Sequence, residues 1–170
     1  MKIENFIRDI SDFPKPGIQF KDITPLLLNY NALVACANQL ADLVPVNTSI
    51  DKVIGVESRG FIMGAMLAER LQAGFIPVRK KGKLPHTIIS KEYDLEYGSD
   101  TLEIHADAIS KGEHILVHDD VLATGGTAST VCSLVEELGG VVIQCNFIIE
   151  LNALKGRDHL HVPVAAVLQY

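Results

Sequence analysis

The feature that most constrains the fold is an alternation that begins near residue 52. Short apolar, β-branched runs recur as KVIGVE (52–57), GFIPVR (74–79), HILVHD (114–119), GVVIQCNFIIE (140–150) and PVAAVLQ (163–169). Between them, SRGFIMGAMLAERLQ and GGTASTVCSLVEELGG carry apolar residues at helical spacing, and both run into a glycine. Strands that are apolar throughout are buried on both faces. Joined by helices, they make an α/β fold with a central, mainly parallel sheet flanked by helices.

The 170 residues suit a single domain spanning 1–170. Hydrophobic residues at 48% and charged residues at 21% are ordinary for a globular protein and argue against disorder. No apolar run approaches the ~20 residues of a membrane helix, and the charges in residues 1–13 exclude a signal peptide. We therefore expect a cytoplasmic protein without a membrane partner. A net charge of −6 argues against nucleic acid, since binding a phosphate backbone needs a basic surface. Cys36, Cys132 and Cys145 have neither zinc nor redox spacing and read as reduced packing residues.

Two segments fit the alternation less well. Residues 1–44 read as a helix, a Pro-rich turn (FPKPGIQF) and a longer helix around 31–43. Residues 80–110 are polar and rich in turns, with alternating pieces such as TLEIHAD. A segment of that kind inside an α/β domain is usually a binding loop or lid, here expected as a hairpin with a mobile tip.

Ligands of open α/β sheets sit beyond the carboxyl ends of the strands. The stretch DDVLATGGT (119–127) lies at such an end. Gly125 and Gly126 allow close backbone approach, Thr124 and Thr127 add hydroxyls, and the N–H groups of the next helix suit a phosphate. Asp119 and Asp120 repel an anion but accept hydrogen bonds from sugar hydroxyls. A ribose phosphate satisfies both halves. The Gly-Lys-Ser/Thr of a P-loop and the GxGxxG spacing are absent. Paired aspartates also serve phospho-acceptor domains and Mg²⁺-dependent phosphatases, usually after the first strand. An N-cap with a glycine-rich turn is the plain alternative.

Two further anion signals follow strands. In GVESRGF (55–61), Ser58 reads as an N-cap with Arg59 in the first turn, where the helix dipole disfavours a cation. Arg59 is either solvated or helps to grip an anion. In VRKKGKLP (78–85), Arg79, Lys80, Lys81 and Lys83 gather in an acidic protein. Alone they suit a solvated turn. Together, the three signals favour a ligand carrying both a monophosphate and a pyrophosphate.

LVHDDVLATGGT resembles the phosphoribosyl-pyrophosphate motif of the type I phosphoribosyltransferase family. DFPKPGIQFKDITPLL, ESRGFIMG, VRKKGKLP, YDLEYGSDTLEIHADAI and ELNALKGRDHL extend the resemblance over nearly the whole chain, toward the members that act on adenine. It implies the type I fold with an N-terminal hood (about 1–35) and a flexible β-hairpin loop (about 81–100). The reaction it implies is purine salvage: transfer of the 5-phosphoribosyl group from phosphoribosyl pyrophosphate to adenine, giving AMP and pyrophosphate. Mg²⁺ would be carried by the substrate, with no metal bound directly by the protein, and the enzyme would be a homodimer.

By the same resemblance, Asp119 and Asp120 hold the ribose hydroxyls, and Ala123, Thr124, Gly125, Gly126 and Thr127 form the 5′-phosphate loop. Arg59 contacts pyrophosphate, with Glu57 and Ser58 shaping its loop. Arg79, Lys80 and Lys83 neutralise pyrophosphate from the same subunit or its partner. Phe20 stacks on adenine while the backbone of Gln19 and Lys21 reads its edge. Glu96, a candidate acceptor of the adenine N9 proton, and Tyr97 lie on the closing loop. Gln19, Lys21 and His118 depart from the common pattern. His118 reads as a hydrogen-bonded strand histidine, or alternatively as a group that titrates with the aspartates.

His159 and His161 share one face but lack a carboxylate or thiolate partner, so we do not read them as metal ligands. His86, His105 and His114 read as loop or hairpin residues. Two rival functions stay open at this point: the same chemistry on xanthine or hypoxanthine, and a catalytically silent sensor of phosphoribosyl pyrophosphate.

Overall fold

The computed structural model describes residues 1–94 and 99–170. It divides into two compact units, Met1–Gln39 and Leu40–Tyr170.

In the first unit the expected N-terminal helix is absent. A 3-10 turn (Ile3–Phe6) leads into β1 (Arg8–Ser11), which pairs antiparallel with β2 (Gln19–Asp22). The cause lies in the connection. Asp12 takes a left-handed backbone (φ 57°) and its Oδ1 accepts the Gly17 N–H at 2.7 Å, turning the chain back on itself. The Phe13–Pro14 peptide within this turn is cis. Short helix α1 (Thr24–Leu28) starts where Asp22 Oδ1 accepts both the Thr24 N–H (2.9 Å) and its hydroxyl (2.6 Å). Asn29 then caps α2 (Tyr30–Asp42), its Oδ1 accepting the Ala32 N–H at 3.0 Å. This second helix matches the one expected around 31–43.

The second unit is built on a seven-stranded sheet in the order β5-β6-β4-β3-β7-β8-β9. The strands are β3 (Lys52–Val56), β4 (Gly74–Lys80), β5 (Ile88–Asp94), β6 (Ser99–His105), β7 (His114–Leu122), β8 (Val141–Glu150) and β9 (Val164–Gln169). From β4 through β9 the pairs are parallel, while β5 and β6 add an antiparallel edge. The five apolar runs of the sequence are the five parallel strands.

Helix α3 (Gly60–Arg70) packs on β3, β4 and β7, and α4 (Gly126–Glu137) packs on β5, β6, β7 and β8. The core beneath α4 joins Ile54, Val56, Val78, Val117, Val131, Leu134 and Phe147. Burying each such side chain contributes about 1.5–3 kcal/mol. That packing holds the ends of β3, β4 and β7 beside one another. Cys36, Cys132 and Cys145 are free and buried, with the Cys132 and Cys145 sulfurs 3.4 Å apart.

Candidate functional site

Three strand ends assemble the site, and the sheet order makes them neighbours. β3 lies between β4 and β7. Glu57 therefore follows the central strand, with the basic segment 79–83 on one side and the aspartates on the other.

The strand carrying the aspartates extends beyond the apolar run at 114–119, through both of them to Leu122. Asp120 is buried and Asp119 half-buried, and Asp119 Oδ1 accepts the Asp120 N–H at 2.9 Å. Burial pushes the Asp119 carboxyl well above the usual carboxylate range, with the neighbouring charge of Asp120 adding to the rise. Burial raises Asp120 as well, and Arg59 counters it. The Arg59 Nε lies 2.9 Å from Asp120 Oδ2 as an ion pair. Ser58 does not cap α3. The helix begins at Gly60 with Arg59 in the cap position, and the Ser58 carbonyl accepts the Phe61 N–H at 3.2 Å. Gly60 is needed there by close approach, since a Cβ would stand 3.0 Å from both Asp119 Oδ1 and the His118 carbonyl.

Past β7, residues 123–127 turn into α4. Gly125 sits at the cap with φ 87°, a left-handed backbone that a side chain would strain, and no side chain caps the helix. The first N–H groups of this twelve-residue helix are thus left facing a concavity of about 70 Å³. Asp119, Ala123, Thr124, Gly125, Gly126 and Thr127 line it, together with Val121, Leu122, Ala128 and Phe147. The dipole of α4 and these donors favour an anion.

Across β3, Glu57 organises the basic segment. The Glu57–Ser58 peptide is cis. Oε1 of Glu57 pairs with Lys83 Nζ at 2.5 Å, and Oε2 accepts the Lys80 N–H at 2.9 Å and Arg79 Nε at 3.3 Å. Burial pushes the Glu57 carboxyl up, but these three donors outweigh it and hold the group at about 2. Lys80 Nζ pairs with Asp100 at 2.9 Å, which raises the ammonium's pKa. The Gly82 N–H donates to Glu103 at 2.9 Å and fixes the turn between the lysines.

Gln19, Phe20 and Lys21 lie on β2 of the first unit. The Phe20 ring meets Phe13 edge to face at 5.1 Å, and Lys21 pairs with Asp9 at 2.6 Å. Glu96 and Tyr97 lie outside the described residues. His118 is fully buried, and its Nδ1 lies 2.9 Å from Asn146 Oδ1. Sequence reasoning missed Phe147 as a wall of the concavity, and it gave no role to Gly156 and Arg157. The only local signal for those two was a glycine-arginine pair in LKGRDHL.

Residues 21–162 match the phosphoribosyl transferase domain family. An adenine phosphoribosyltransferase of Flavobacterium johnsoniae is 60% identical over the full length of both chains. A solved adenine phosphoribosyltransferase from Rhodothermus marinus shares 54% identity and superposes with a TM-score of 0.93, covering 99% of this chain and 96% of that one. The enzyme of Saccharomyces cerevisiae, solved with an imino-altritol bisphosphate and adenine, shares 38% identity with a TM-score of 0.94, covering 98% and 97%. With this sheet order and this loop at the head of α4, the chain belongs to the phosphoribosyltransferase family. It is a glycosyltransferase of the pentosyl-transferring kind.

Proposed function

We propose that the strand ends described above divide the work of a single purine-salvage reaction. The chain transfers the 5-phosphoribosyl group from phosphoribosyl pyrophosphate to adenine, giving AMP and pyrophosphate. The observation that carries the assignment of roles is the adjacency of an anion-seeking helix terminus and the Asp119 carboxyl in one concavity, with Asp120 next to it on β7.

Residues 123–127 cradle the 5′-phosphate with backbone N–H groups and threonine hydroxyls. Asp119 and Asp120 accept hydrogen bonds from the ribose 2′- and 3′-hydroxyls. Breaking the bond between C1′ and the pyrophosphate oxygen builds positive charge on the sugar ring, which buried carboxylates stabilise. It builds negative charge on the leaving group, which Arg59, Arg79, Lys80 and Lys83 take up, with Glu57 and Ser58 shaping their loop. The basic residues act from the same subunit or from the partner of a homodimer.

The donor set suits Mg²⁺ brought in by the substrate. Asp120 Oδ2 is met by the Arg59 guanidinium at 2.9 Å and Asp119 Oδ1 by the Asp120 N–H, and the remaining lone pairs of the two carboxylates can accept from the sugar hydroxyls. When bound, Mg²⁺ supplies charge neutralisation on the pyrophosphate. Phe20 stacks on the base, and the backbone of Gln19 and Lys21 reads its edge. Glu96 accepts the N9 proton, and a loop of about 81–100 carrying Tyr97 closes to exclude water. We assign the whole chain, 1–170, to one catalytic domain with its hood at about 1–35, working in the cytoplasm. Among the described residues no helix is long and apolar enough to cross a membrane.

The test is an incubation with Mg²⁺, phosphoribosyl pyrophosphate and one base at a time, read out as nucleotide. AMP from adenine is expected. No AMP would overturn the reading, and equal turnover of hypoxanthine or xanthine would overturn the choice of base.

A further inference from the structure

We infer that Arg157, with Glu150 and Gly156, is a positioning element for the 5′-phosphate loop. It would set the affinity for the phosphorylated sugar without touching it. The inference rests on the reading of residues 123–127 as the phosphate cradle.

Two observations carry it. The first is steric. Gly156 lies directly behind the loop, so close that a Cβ added to it would stand 2.2 Å from the Ala123 carbonyl oxygen and 3.0 Å from Gly125 N. Conversely, a Cβ on Gly125 would stand 2.4 Å from the Gly156 carbonyl oxygen. Two backbones in such contact cannot move independently, and only glycine on each side permits it.

The second concerns what holds Gly156 in place. The next residue, Arg157, spans the carboxylate of Glu150 with two parallel bonds, Nε to Oε1 at 3.0 Å and Nη2 to Oε2 at 2.6 Å. Its Nη1 donates to the Val164 carbonyl at 2.9 Å. The arginine is thereby tied to the last residue of β8 and the first of β9. Glu150 is buried, so a bidentate guanidinium there is both geometrically specific and costly to break. The pairing with Glu150 raises the Arg157 pKa further. The 3-10 turn that contains both residues (Gly156–His159) also packs against α4. Neither residue lines the concavity, so their influence on a ligand must pass through the loop they support.

The experiment measures binding of two separate fragments, ribose 5-phosphate and Mg²⁺-pyrophosphate, by calorimetry on the full chain. Arg157→Met and Gly156→Ala are each expected to weaken ribose 5-phosphate by about tenfold or more while leaving pyrophosphate within about twofold. Arg157→Lys, which keeps the charge and loses the fork, is expected to fall between these and wild type. If Arg157→Met does not fold, Arg157→Lys and Gly156→Ala carry the test. Equal weakening of both fragments would show a merely structural role and overturn the inference. Thr127→Ala serves as the reference within the loop. If it weakens ribose 5-phosphate and the other variants do not, the buttress alone falls. If none of them does, the cradle reading falls with it.

Discussion

Arg59 Nε faces Asp120 Oδ2 at 2.9 Å across the junction of β3 and β7, the cation half-exposed and the carboxylate buried. Burial raises the Asp120 carboxyl and the guanidinium opposes that rise, so the state of the pair depends on both partners. Removing either partner leaves the other miscast. We expect Arg59→Ala and Asp120→Asn each to lower turnover by roughly ten- to a hundredfold, with the fold retained by circular dichroism. Steady-state assay decides it, and wild-type rates in both variants would remove the pair from the reaction.

Asp119 provides a test with opposite signs for stability and activity. Its folded pKa stands well above the unfolded value near 3.8, so the folded state binds the extra proton between those two values. Stability is then lost as pH rises through that window, because ionising the buried group costs the fold. Asp119→Asn removes the charge. The variant is expected to melt a few degrees higher than wild type, more so at pH 8 than at pH 5, while turnover falls about tenfold or more. Thermal unfolding at the two pH values, paired with the assay, checks both arms. A variant less stable than wild type at pH 8 would contradict the burial argument.

These relationships show why some of the molecule could be read from its sequence and some could not. The five parallel strands were visible because burial on both faces makes such strands apolar throughout. β1 was not, since Arg8–Ser11 is mostly exposed and its four residues carry no apolar pattern. The aspartates and the glycine loop are contiguous, so their chemistry lies open in one short stretch. The role of Glu57 in gathering Arg79, Lys80 and Lys83 depends on β3 pairing with β4, which no local window contains. Gly156 against Gly125 is likewise a contact between distant turns.

The Glu57 clamp has a definite pH signature. Its folded pKa of about 2 lies below the unfolded value near 4.5. The stabilisation is therefore fully present above about pH 4.5 and is lost as pH falls toward 2. Glu57→Gln should be less stable than wild type in urea at pH 7, with the difference shrinking by pH 3. It should also raise the KM for phosphoribosyl pyrophosphate more than it lowers kcat, because the basic segment loses its anchor and not its charge. A stability difference that stays constant from pH 7 to pH 3 would mean that the three contacts do not depend on the carboxylate charge.

His118 is buried, bonded at Nδ1 to Asn146 Oδ1 at 2.9 Å, and Asn146 in turn donates to the Leu40 carbonyl at 3.3 Å. Asn146 Oδ1 accepts, so the ring carries its proton on Nδ1, and Nε2 finds no partner among the described residues. Burial drives the imidazole pKa down from 6.5 to about 4 against the opposing pull of Asn146. The unfolded chain binds the proton that the folded one refuses. Stability accordingly falls as pH drops from 6.5 to about 4, by about 3 kcal/mol in all. His118→Gln should remove that part of the pH dependence in urea titrations while leaving kcat at pH 7.5 within about threefold. If the acid limb of the kcat profile moves by more than about half a pH unit in the variant, His118 titrates with the aspartates and is more than a strand histidine.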